Sequence, residues 1–585
     1  MLSDTTESPT TIILTPEKLR QENPPTMLWV RTGKYGETSS VLKPGYERGS
    51  KEILNGYDIE VPDKIMSLAQ EVRNLGGKAL LVGGCVRDLV ISKERALNLK
   101  PKDFDVEVYG LSQETLRLIL ETNFGEVKTE GKSFAVIKLP SGNHDEPYDI
   151  SIPRRDSKVA SGHTGFDIKG DPTMDIKEAA SRRDITINSL AYDPLNKTLY
   201  DAFEGAEHIK EGLIEITDEK TFQEDPLRVL RVMQFAARFD FQVSERALKL
   251  CRQMVKEGQL DELSTDRITE ELKKLIVKGI KPSIGLNFAK EAGIVERYWP
   301  ELNALINIPQ EDEWHPEGNV WKHTLQTIDA AAKIADREKL DENDRLTLVF
   351  SSLLHDTGKP LTTKIMGGRV RSYGHEAAGI KPTSRFFERF NLPVDVKRKV
   401  LALIPVHLSP KFYWDQEVNK GIEMKNAIRR LADKLGKEGA NIYMLSLLAE
   451  ADQRGRNSQD STPLDRIQVK DLEGWQNWLI EKAQKLDVKD KAPAPILNGK
   501  DILEKIGTKN GGIWIGCMLK AVQMDFLDGT LSGKSEALEK ALEYLNTFEK
   551  IVNALSQQYS LTPRAIWEKV VNLEDPRKAD ELLRN

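Results

Sequence analysis

The hydrophobic pattern of the first third of the chain alternates between helical and strand periods. Apolar residues recur every three or four positions over 61–75, which predicts a helix that ends at the pair Gly76-Gly77. The apolar run KALLV (78–82) predicts a buried strand, and the alternation in DFDVEVYG (103–110) predicts a second strand. This succession of elements is typical of an α/β region.

The same region continues with a helix predicted over 113–120 and with strands predicted over 134–140 and 148–153. The polar, glycine-rich segment 154–175 has no apolar period and predicts a flexible loop. The α/β pattern ends near Asp201. Beyond it the apolar spacing is almost entirely helical, so the fold class is an α/β head with a mixed sheet and helices, followed by an all-α remainder.

Composition narrows the class of protein. The chain has 585 residues, of which 39% are hydrophobic and 30% are charged, which excludes collagen-like and wholly disordered proteins. A net charge of −6 argues against an evenly basic surface but leaves room for a local basic patch. The three cysteines are far apart, which favours a reducing cytoplasm. An apolar run long enough for a membrane span and a secretory signal are both absent from the sequence.

A glycine turn stands where the first predicted strand meets the next helix, in LLVGGCVRDLV. Gly83 and Gly84 allow backbone N–H groups to approach a phosphate, and a helix N-terminus adds partial positive charge. Arg87 lies one turn further on and has the geometry to clamp the same phosphate. A Gly-Gly pair by itself also fits an ordinary turn.

Two carboxylates follow in KDFDVEV. Alternate residues of a strand share a face, so Asp103 and Asp105 are expected to point the same way while Phe104 enters the core. Two close carboxylates repel unless a cation lies between them, and oxygen ligands beside a phosphate suit Mg²⁺. Asp149, on a later predicted strand, is a candidate third carboxylate. A solvated strand edge is the alternative for a lone D-x-D.

A carboxylate and a guanidinium three residues apart, Asp225 and Arg228, occur in EDPLRVLRVMQFAARF and are expected to share a helix face. The carboxylate accepts from an exocyclic amino group and the guanidinium donates to a ring acceptor, a pattern that cytosine and adenine both satisfy. Uracil and guanine would leave a polar atom unpaired, at a cost of about 1–3 kcal/mol. Alternatively, Asp225 only caps the helix, since Pro226 is a good first helical residue.

Five of the eight histidines fall between His315 and His407. Because an adjacent His and Asp at the end of an apolar helix are costly to bury without a partner, the cluster predicts a metal site. The expected ligands are His323, His355, Asp356, His375, His407 and Asp452. His315 is expected outside the ligand shell. For Lys359 the sequence leaves two interpretations, a contact with phosphate and a solvated surface side chain.

Four motifs in order, GGCVRD, KDFDVEVYG, RRDITINSLAYD and EDPLRVLRVMQFAARF, resemble those of the class II tRNA nucleotidyltransferases. This family comprises the CCA-adding enzymes and their bacterial poly(A) polymerase relatives. The resemblance implies that Asp103 and Asp105 are catalytic and hold Mg²⁺, and that Gly84 and Arg87 contact the triphosphate. It also implies nucleotide-binding roles for Arg182, Arg183, Asp184, Asn188, Glu224, Asp225, Arg228 and Arg231.

The histidine cluster resembles the HD phosphohydrolase superfamily, and its position after the first four motifs resembles the bacterial multifunctional CCA proteins. The resemblance implies phosphatase and cyclic phosphodiesterase activity with a divalent transition metal, Ni, Mn, Co, Fe or Zn. The expected divisions are an N-terminal extension of unknown role (1–55), a nucleotidyltransferase head (56–205), a helical neck for base and RNA binding (206–305), an HD domain (306–456) and a helical tail (457–585).

We therefore expect template-independent addition of CCA, or part of it, to tRNA 3′ ends from CTP and ATP. The partners are the tRNA acceptor end and the two nucleotides, without a membrane, and a homodimer is left open. One alternative is an A-adding enzyme or poly(A) polymerase of the same family. Others are an HD phosphohydrolase whose head only binds nucleotide, and an inactive RNA-binding protein.

Overall fold

The computed structural model describes residues 28–31, 38–41, 51–54, 57, 60–95, 99, 101, 103–125, 127–130, 136–141, 147–158, 166–456, 474–573 and 575–583. The N-terminal extension, the interval 159–165 and the linker around 457–473 therefore lie largely or wholly outside the described residues. The chain divides into two compact units, Met1–Tyr298 and Trp299–Asn585.

The first unit contains a mixed sheet. Its strands and those of the flanking ribbons are β1 (Leu28–Arg31), β2 (Thr38–Val41), β3 (Lys51–Leu54), β4 (Lys78–Val82), β5 (Asp105–Tyr109), β6 (Lys128–Glu130), β7 (Val136–Leu139), β8 (Tyr148–Ser151), β9 (Arg154–Lys158), β10 (Phe166–Gly170), β11 (Ala191–Asp193), β12 (Thr198–Asp201), β13 (Leu213–Ile214) and β14 (Gln242–Val243). Eight of them form one sheet in the order β3-β12-β11-β4-β5-β8-β7-β6.

Most neighbours in this sheet are antiparallel, but β5 and β8 run parallel, with Asp105 opposite Asp149. The strands predicted over 78–82, 103–110, 134–140 and 148–153 all form in the sheet, which confirms the expected mixed α/β head. β3 was not predicted, and it extends the sheet by pairing with β12.

The segment 154–175 is not simply a loop, because β9 and β10 in it form an antiparallel ribbon. The prediction of a loop was therefore wrong for residues 154–158 and 166–170, whereas 171–175 contains no helix or strand. Main-chain hydrogen bonds between two strands need no apolar period, so the polar sequence did not reveal the pairing.

The helices of the first unit are α1 (Asp63–Asn74), α2 (Gly84–Glu94), α3 (Gln113–Phe124), α4 (Ile176–Ser181), α5 (Gly205–Glu211), α6 (Glu219–Phe222), α7 (Leu227–Phe239), α8 (Glu245–Lys256), α9 (Thr265–Lys278), α10 (Pro282–Glu291) and α11 (Ile294–Tyr298). Helices α9 and α10 pack on α7, whose apolar residues are almost all buried. The apolar contacts around α7 hold the N-terminus of this helix in place. Its first turn lines the candidate site described below.

The second unit is mainly helical. Its elements are α12 (Pro300–Asn303), α13 (Val320–Arg337), α14 (Glu342–Leu354), α15 (Lys359–Thr362), β15 (Lys364–Met366), β16 (Arg369–Arg371), α16 (His375–Ala378), α17 (Ile380–Phe387), α18 (Val394–Leu403), α19 (Ser409–Trp414), α20 (Lys425–Lys437), α21 (Ile442–Arg454), α22 (Trp475–Lys485), α23 (Gly499–Ile506), α24 (Ile513–Leu527), α25 (Lys534–Tyr559) and α26 (Pro563–Asn572). The hairpin β15–β16 is a small exception to the expected helical remainder.

Helices α13, α14 and α21 pack against one another through buried apolar faces. His323 lies on α13, His355 directly follows α14, and Asp452 lies on α21. Asn319 caps the N-terminus of α13 by accepting from the Lys322 N–H. In the part of the chain that the structure describes, every helix is too short or too polar to cross a membrane.

Candidate active sites

The glycine turn lies between β4 and α2. Gly83 has φ +72°, a conformation that residues with a Cβ rarely adopt. A Cβ at this position would lie 3.2 Å from Oδ2 of Asp105 and 3.7 Å from Nη1 of Arg183. The turn therefore brings bare backbone against a carboxylate and a guanidinium, and α2 begins at the next residue.

Two carboxylates meet on the parallel pair of strands β5 and β8. Asp105 stands opposite Asp149 in the register, and Oδ1 of Asp149 lies 2.6 Å from Nζ of Lys138. Burial raises the pKa of Asp105, and the charges of Asp149 and Asp103 raise it further, against the opposing effect of nearby cations. A bound cation would relieve this repulsion, and the oxygen donors fit a hard ion such as Mg²⁺.

Asp103 differs from its expected position. It precedes β5 and is exposed, whereas Phe104 is buried as expected. The strand begins only at Asp105 because its partner there is Val82, the last residue of β4, so that the antiparallel ladder has no further partner on this side. Asp103 still acts electrostatically on Asp105 but does not line the cavity described next.

A cavity of about 530 Å³ opens beside Asp105. The sequence-predicted residues that line it are Gly84, Arg87, Asp105, Asp149, Arg182, Arg183, Asp184, Asn188, Asp225, Arg228 and Arg231. Glu224 was expected in the same pocket and is not part of its lining. The concentration of guanidinium groups suits a polyphosphate, because arginine donates several hydrogen bonds in a planar fork.

Three further charged side chains line this cavity and were not singled out from the sequence: Glu107, Arg154 and Arg267. Glu107 follows Asp105 by two positions, so strand alternation places both on one face and was the available signal. Its Oε2 accepts from the Tyr109 hydroxyl at 2.6 Å. The other two had no comparable local signal.

A buried polar chain connects α2 with α7. Arg87 donates through Nη1 to Oδ1 of Asn188 at 2.8 Å, and its guanidinium lies 4.9 Å from the ring centre of Phe239. Asn188 donates to Oδ1 of Asp184 at 2.9 Å, and Arg231 donates to Oδ2 at 2.6 Å. Arg87 and Asp184 thus make several of their hydrogen bonds to other protein side chains, and these bonds hold the cavity wall in one conformation.

Arg228 does not pair with Asp225. Its Nη1 donates to the carbonyl of Thr221 at 2.7 Å and its Nη2 to the carbonyl of Arg182 at 2.6 Å. Asp225 precedes the first residue of α7 rather than sharing a helix face with Arg228, and it accepts from the Leu227 N–H at 3.1 Å. The two side chains nonetheless line the same cavity.

The partner of Asp225 is Arg267, on α9. Nη2 of Arg267 lies 2.8 Å from Oδ2 and 3.1 Å from Oδ1 of the carboxylate. The residues are 42 positions apart, and a pattern in the local sequence could not have joined them.

In the second unit, the six expected metal ligands come together and are buried: His323, His355, Asp356, His375, His407 and Asp452. Nε2 of His323 lies 3.3 Å from Nε2 of His355 and 2.9 Å from Oδ1 of Asp452. Asp356 completes the group, with Oδ2 at 3.2 Å from Nε2 of His355 and Oδ1 at 3.4 Å from Nε2 of His375.

These spacings fit a metal centre. Donors bound at about 2.1 Å in adjacent positions of a coordination shell lie about 3 Å apart, and the observed separations of 2.9–3.4 Å are close to that value. A mixed imidazole and carboxylate set suits Mn²⁺, Fe²⁺, Co²⁺, Ni²⁺ or Zn²⁺. Asp356 belongs to two overlapping groups of candidate ligands, one with His323 and His355 and one with His375 and His407.

His315 was expected outside this cluster, and the structure places it one contact away. Its Nδ1 lies 2.9 Å from Oε1 of Glu317, and the same oxygen lies 2.8 Å from Nδ1 of His323. Burial opposes ionisation of Glu317, but the two imidazoles outweigh it and lower its pKa to about 2. Sequence reasoning did not single out Glu317, although it stands between the two histidines in HPEGNVWKH.

A cavity of about 510 Å³ leads to the cluster and is lined by His375, His407, Asp356 and Asp452, among other residues. Lys359, which the sequence left open, is buried: its Nζ lies 2.8 Å from Oδ2 of Asp356 and donates to Oε1 of Gln310 at 2.6 Å. A solvated role for this lysine is therefore wrong. The lysine offers a cation at the floor of the cavity.

Comparison with protein-family models gives three matches. Residues 79–215 match the poly A polymerase head domain, and residues 320–439 match the HD domain. Residues 240–306 match a model described as the probable RNA and SrmB-binding site of polymerase A.

Among curated proteins, the chain is 31% identical over 419 residues to the multifunctional CCA protein of Pasteurella multocida, an alignment that covers 71% of this chain and 91% of that protein. It is 32% identical over 388 residues to the multifunctional CCA protein of Chromobacterium violaceum, covering 66% and 86%.

Among solved structures, the Bacillus stearothermophilus CCA-adding enzyme in complex with CTP is similar in fold, with a TM-score of 0.54, 18% identity, and coverage of 84% of this chain and 100% of that chain. An apo form of a CCA-adding enzyme has a TM-score of 0.52 and 19% identity, covering 83% and 96%.

Proposed function

The chain belongs to the multifunctional CCA proteins, class II tRNA nucleotidyltransferases with an HD domain, and from that membership we propose that it adds C, C and A to tRNA 3′ ends. The nucleotides are CTP and ATP, and the protein, rather than a nucleic-acid template, selects them. The observation that carries the proposal is the pair Asp105 and Asp149, in register beside a glycine turn and a cavity rich in arginine.

In the proposed reaction, the 3′-oxygen of the tRNA attacks the α-phosphorus of the nucleotide, the bond to the β-phosphate oxygen breaks, and pyrophosphate leaves. Asp105 and Asp149 would hold Mg²⁺ at the cavity, with Asp103 beside them outside the cavity lining. The ion would supply activation of the 3′-hydroxyl and neutralisation of the triphosphate. The bare backbone at Gly83 and the N-terminus of α2 bind phosphate oxygens. Arg182 and Arg183 neutralise the remaining phosphate charge from the cavity wall.

Base selection rests on Asp225 and Arg228. The Asp225 carboxylate accepts from the exocyclic amino group of cytosine or adenine, and its bond to Arg267 keeps its oxygens in place. Arg228 uses one N–H on each of two nitrogens for backbone carbonyls, which orients the guanidinium and leaves three donors for the base. Uracil and guanine present a carbonyl oxygen to the carboxylate, which disfavours them by about 1–3 kcal/mol.

The test of this activity is extension of three tRNA transcripts that end before CCA, after C and after CC. Each receives CTP, ATP or both, and products are separated at single-nucleotide resolution. We expect all three to be completed to CCA and extension to stop there. Extension of the CC-ending transcript alone would identify an A-adding enzyme, long A-tails would identify a poly(A) polymerase, and absence of incorporation would refute the proposal.

We further propose that the second unit is a metal-dependent phosphohydrolase. Its support is the buried set of four imidazoles and two carboxylates, of which two imidazoles and both carboxylates line a cavity. The metal, when bound, supplies an activated water for attack on a phosphate ester. Lys359 then places a positive charge beside Asp356, where a phosphate oxygen would enter. Removal of a 3′-terminal phosphate from RNA would expose the hydroxyl that the first site extends.

Reciprocal variants separate the two activities. Asp105→Ala is expected to abolish nucleotide incorporation and leave phosphate-ester hydrolysis intact, whereas Asp356→Ala is expected to do the opposite. Each variant serves as the folding control for the other. A folded variant that loses both activities would contradict two independent sites.

The remaining assignments are proposals of the same kind. We assign the head to residues 51–205 rather than 56–205, because β3 belongs to its sheet. We assign the neck to 206–305, the HD domain to 306–456 and the tail to 457–585. The three cysteines are free and buried, which supports a cytoplasmic protein that needs no disulfide.

A further inference from the structure

Three of the four histidines at the HD cluster orient their rings in one way. The Nδ1 atom lies within hydrogen-bonding distance of the backbone carbonyl three residues earlier, at 2.8 Å for His355, 2.8 Å for His375 and 2.7 Å for His407. His355 and His407 directly follow a helix or helical turn, and His375 is the first residue of α16. With Nδ1 donating outward, the Nε2 lone pair is free for the centre of the cluster.

His323 lies in the first turns of α13, and among the described residues its Nδ1 has no backbone carbonyl as a hydrogen-bond partner. The nearby carbonyls there are engaged: that of Asn319 accepts from the His323 N–H at 3.1 Å, and that of Val320 accepts from the Thr324 hydroxyl at 2.8 Å. The Glu317 side chain occupies the corresponding place, with Oε1 2.8 Å from Nδ1 of His323. Its carboxylate is fully buried.

We propose that Glu317 is a positioning residue for the metal ligand His323. Its carboxylate accepts the Nδ1–H of His323, selects the tautomer with a free Nε2, and aims Nε2 at Asp452 and His355. The inference rests on the proposed metal centre of the second unit and adds a residue outside the ligand set.

The carboxylate also does what a backbone carbonyl cannot. Its negative charge makes Nε2 of His323 a more basic metal ligand than the imidazoles of the three neighbouring histidines. The effect is strong because a buried charge is screened little. His315 donates to the same oxygen, at 2.9 Å, and so fixes the carboxylate from the other side. Partners of this kind change metal affinity by about 10–100-fold when they are removed.

A competing role for Glu317 is direct ligation, since His315, Glu317 and His323 form a compact group of their own. In that group one carboxylate oxygen lies 2.8 Å from one imidazole nitrogen and 2.9 Å from the other, and both roles allow these spacings. Metal stoichiometry separates the two roles, because loss of a ligand set removes a metal equivalent, whereas loss of a positioning contact weakens an equivalent that remains.

The test uses the full chain, stripped with a chelator and titrated with Co²⁺. We expect Glu317→Ala to raise the Kd for Co²⁺ by about 10–100-fold and to shift the visible absorption bands, with unchanged stoichiometry. Glu317→Gln, which keeps the shape and one acceptor oxygen, is expected to fall between wild type and Glu317→Ala. Glu376→Gln is the matched control: this carboxylate lies 3.5 Å from Nδ1 of His375, which already faces a backbone carbonyl. Its Kd is expected to stay within about twofold of wild type.

Tautomer measurement tests the inference without a variant. In the wild-type chain loaded with Zn²⁺, ¹⁵N–¹H correlation is expected to show His323 protonated at Nδ1. Protonation at Nε2, an unchanged Kd in Glu317→Ala, or loss of a whole metal equivalent in that variant would each overturn the positioning role. Failure of the wild-type chain to bind Co²⁺ would instead refute the metal centre, and the positioning role with it.

Discussion

Replacing Arg267 with alanine removes the cation that holds Asp225 in the nucleotide cavity. Nη2 of Arg267 contacts both carboxylate oxygens, at 2.8 and 3.1 Å, and the two side chains are 25% and 30% exposed. Exposed ion pairs contribute up to about 1 kcal/mol, and breaking a buried pair costs about 3–5 kcal/mol. Because this pair is half-buried, its contribution lies between these two cases, and we expect Arg267→Ala to weaken the positioning of the Asp225 carboxylate by about 1–2 kcal/mol.

The substitution leaves Asp225 with the Leu227 N–H as the remaining bond among those the structure describes for its carboxylate. Because the proposed base contact is made by these oxygens, kcat/KM for CTP and for ATP is expected to fall together, by about 5–30-fold. Selection against UTP and GTP is expected to weaken in the same variant, since a mobile carboxylate no longer enforces the cost of an unpaired carbonyl.

The assay is single-nucleotide extension of tRNA transcripts ending before CCA and after CC, with each of the four nucleotides supplied alone. Lys273→Ala is the matched control, because Lys273 lies on the same helix and pairs with Glu270 at 3.3 Å outside the cavity lining. If Arg267→Ala kept both kcat/KM values and the nucleotide discrimination within twofold of the control, the anchoring of Asp225 would be refuted.

Three other predictions follow from the geometry. Gly83→Ala and Gly125→Ala both place a Cβ on a backbone with positive φ, and each is expected to lower the free energy of unfolding in denaturant by about 1 kcal/mol or more. Gly83→Ala alone should also abolish nucleotide incorporation. The new Cβ at Gly83 would lie within 4 Å of Oδ2 of Asp105, whereas the Cβ at Gly125 would have none of the described atoms within 4 Å. Burial opposes ionisation of Asp184, but the Arg231 guanidinium and hydrogen bonds outweigh it and lower the pKa of this carboxyl. The carboxylate therefore adds stability above its unfolded pKa of about 3.9, so the difference in unfolding free energy between wild type and Asp184→Asn should be largest near pH 7 and shrink below about pH 4. A difference that stays constant with pH would contradict the pairing of Asp184 with Arg231. Saturation with Co²⁺ at 100 times the Kd should raise the unfolding free energy of the metal-binding unit by about 2.7 kcal/mol and its thermal midpoint accordingly, and a rise of equal size in Asp356→Ala would place the ion elsewhere.

The sequence anticipated much of the architecture because hydrophobic burial leaves a local period. The helices α1 and α3 and the strands β4, β5, β7 and β8 follow from apolar spacing within a few residues. The ribbon of β9 and β10 and the edge strand β3 were not predicted, because backbone pairing leaves no such period in the sequence. Their pairing is made by backbone groups, which every residue carries, so that the choice of partner depends on which segments the fold brings together.

The functional residues divide in the same way. Candidate residues with a local signal could be found from the sequence: Gly83 at a strand-to-helix turn, Asp105 in an alternating strand, and the histidines beside apolar helices. The partner of each charged group was not predictable: Asp225 pairs with Arg267 instead of Arg228. Side-chain type and spacing show what a residue can donate or accept. The packing of distant segments determines which partner lies within about 3–4 Å, and hydrogen bonds and ion pairs need that proximity.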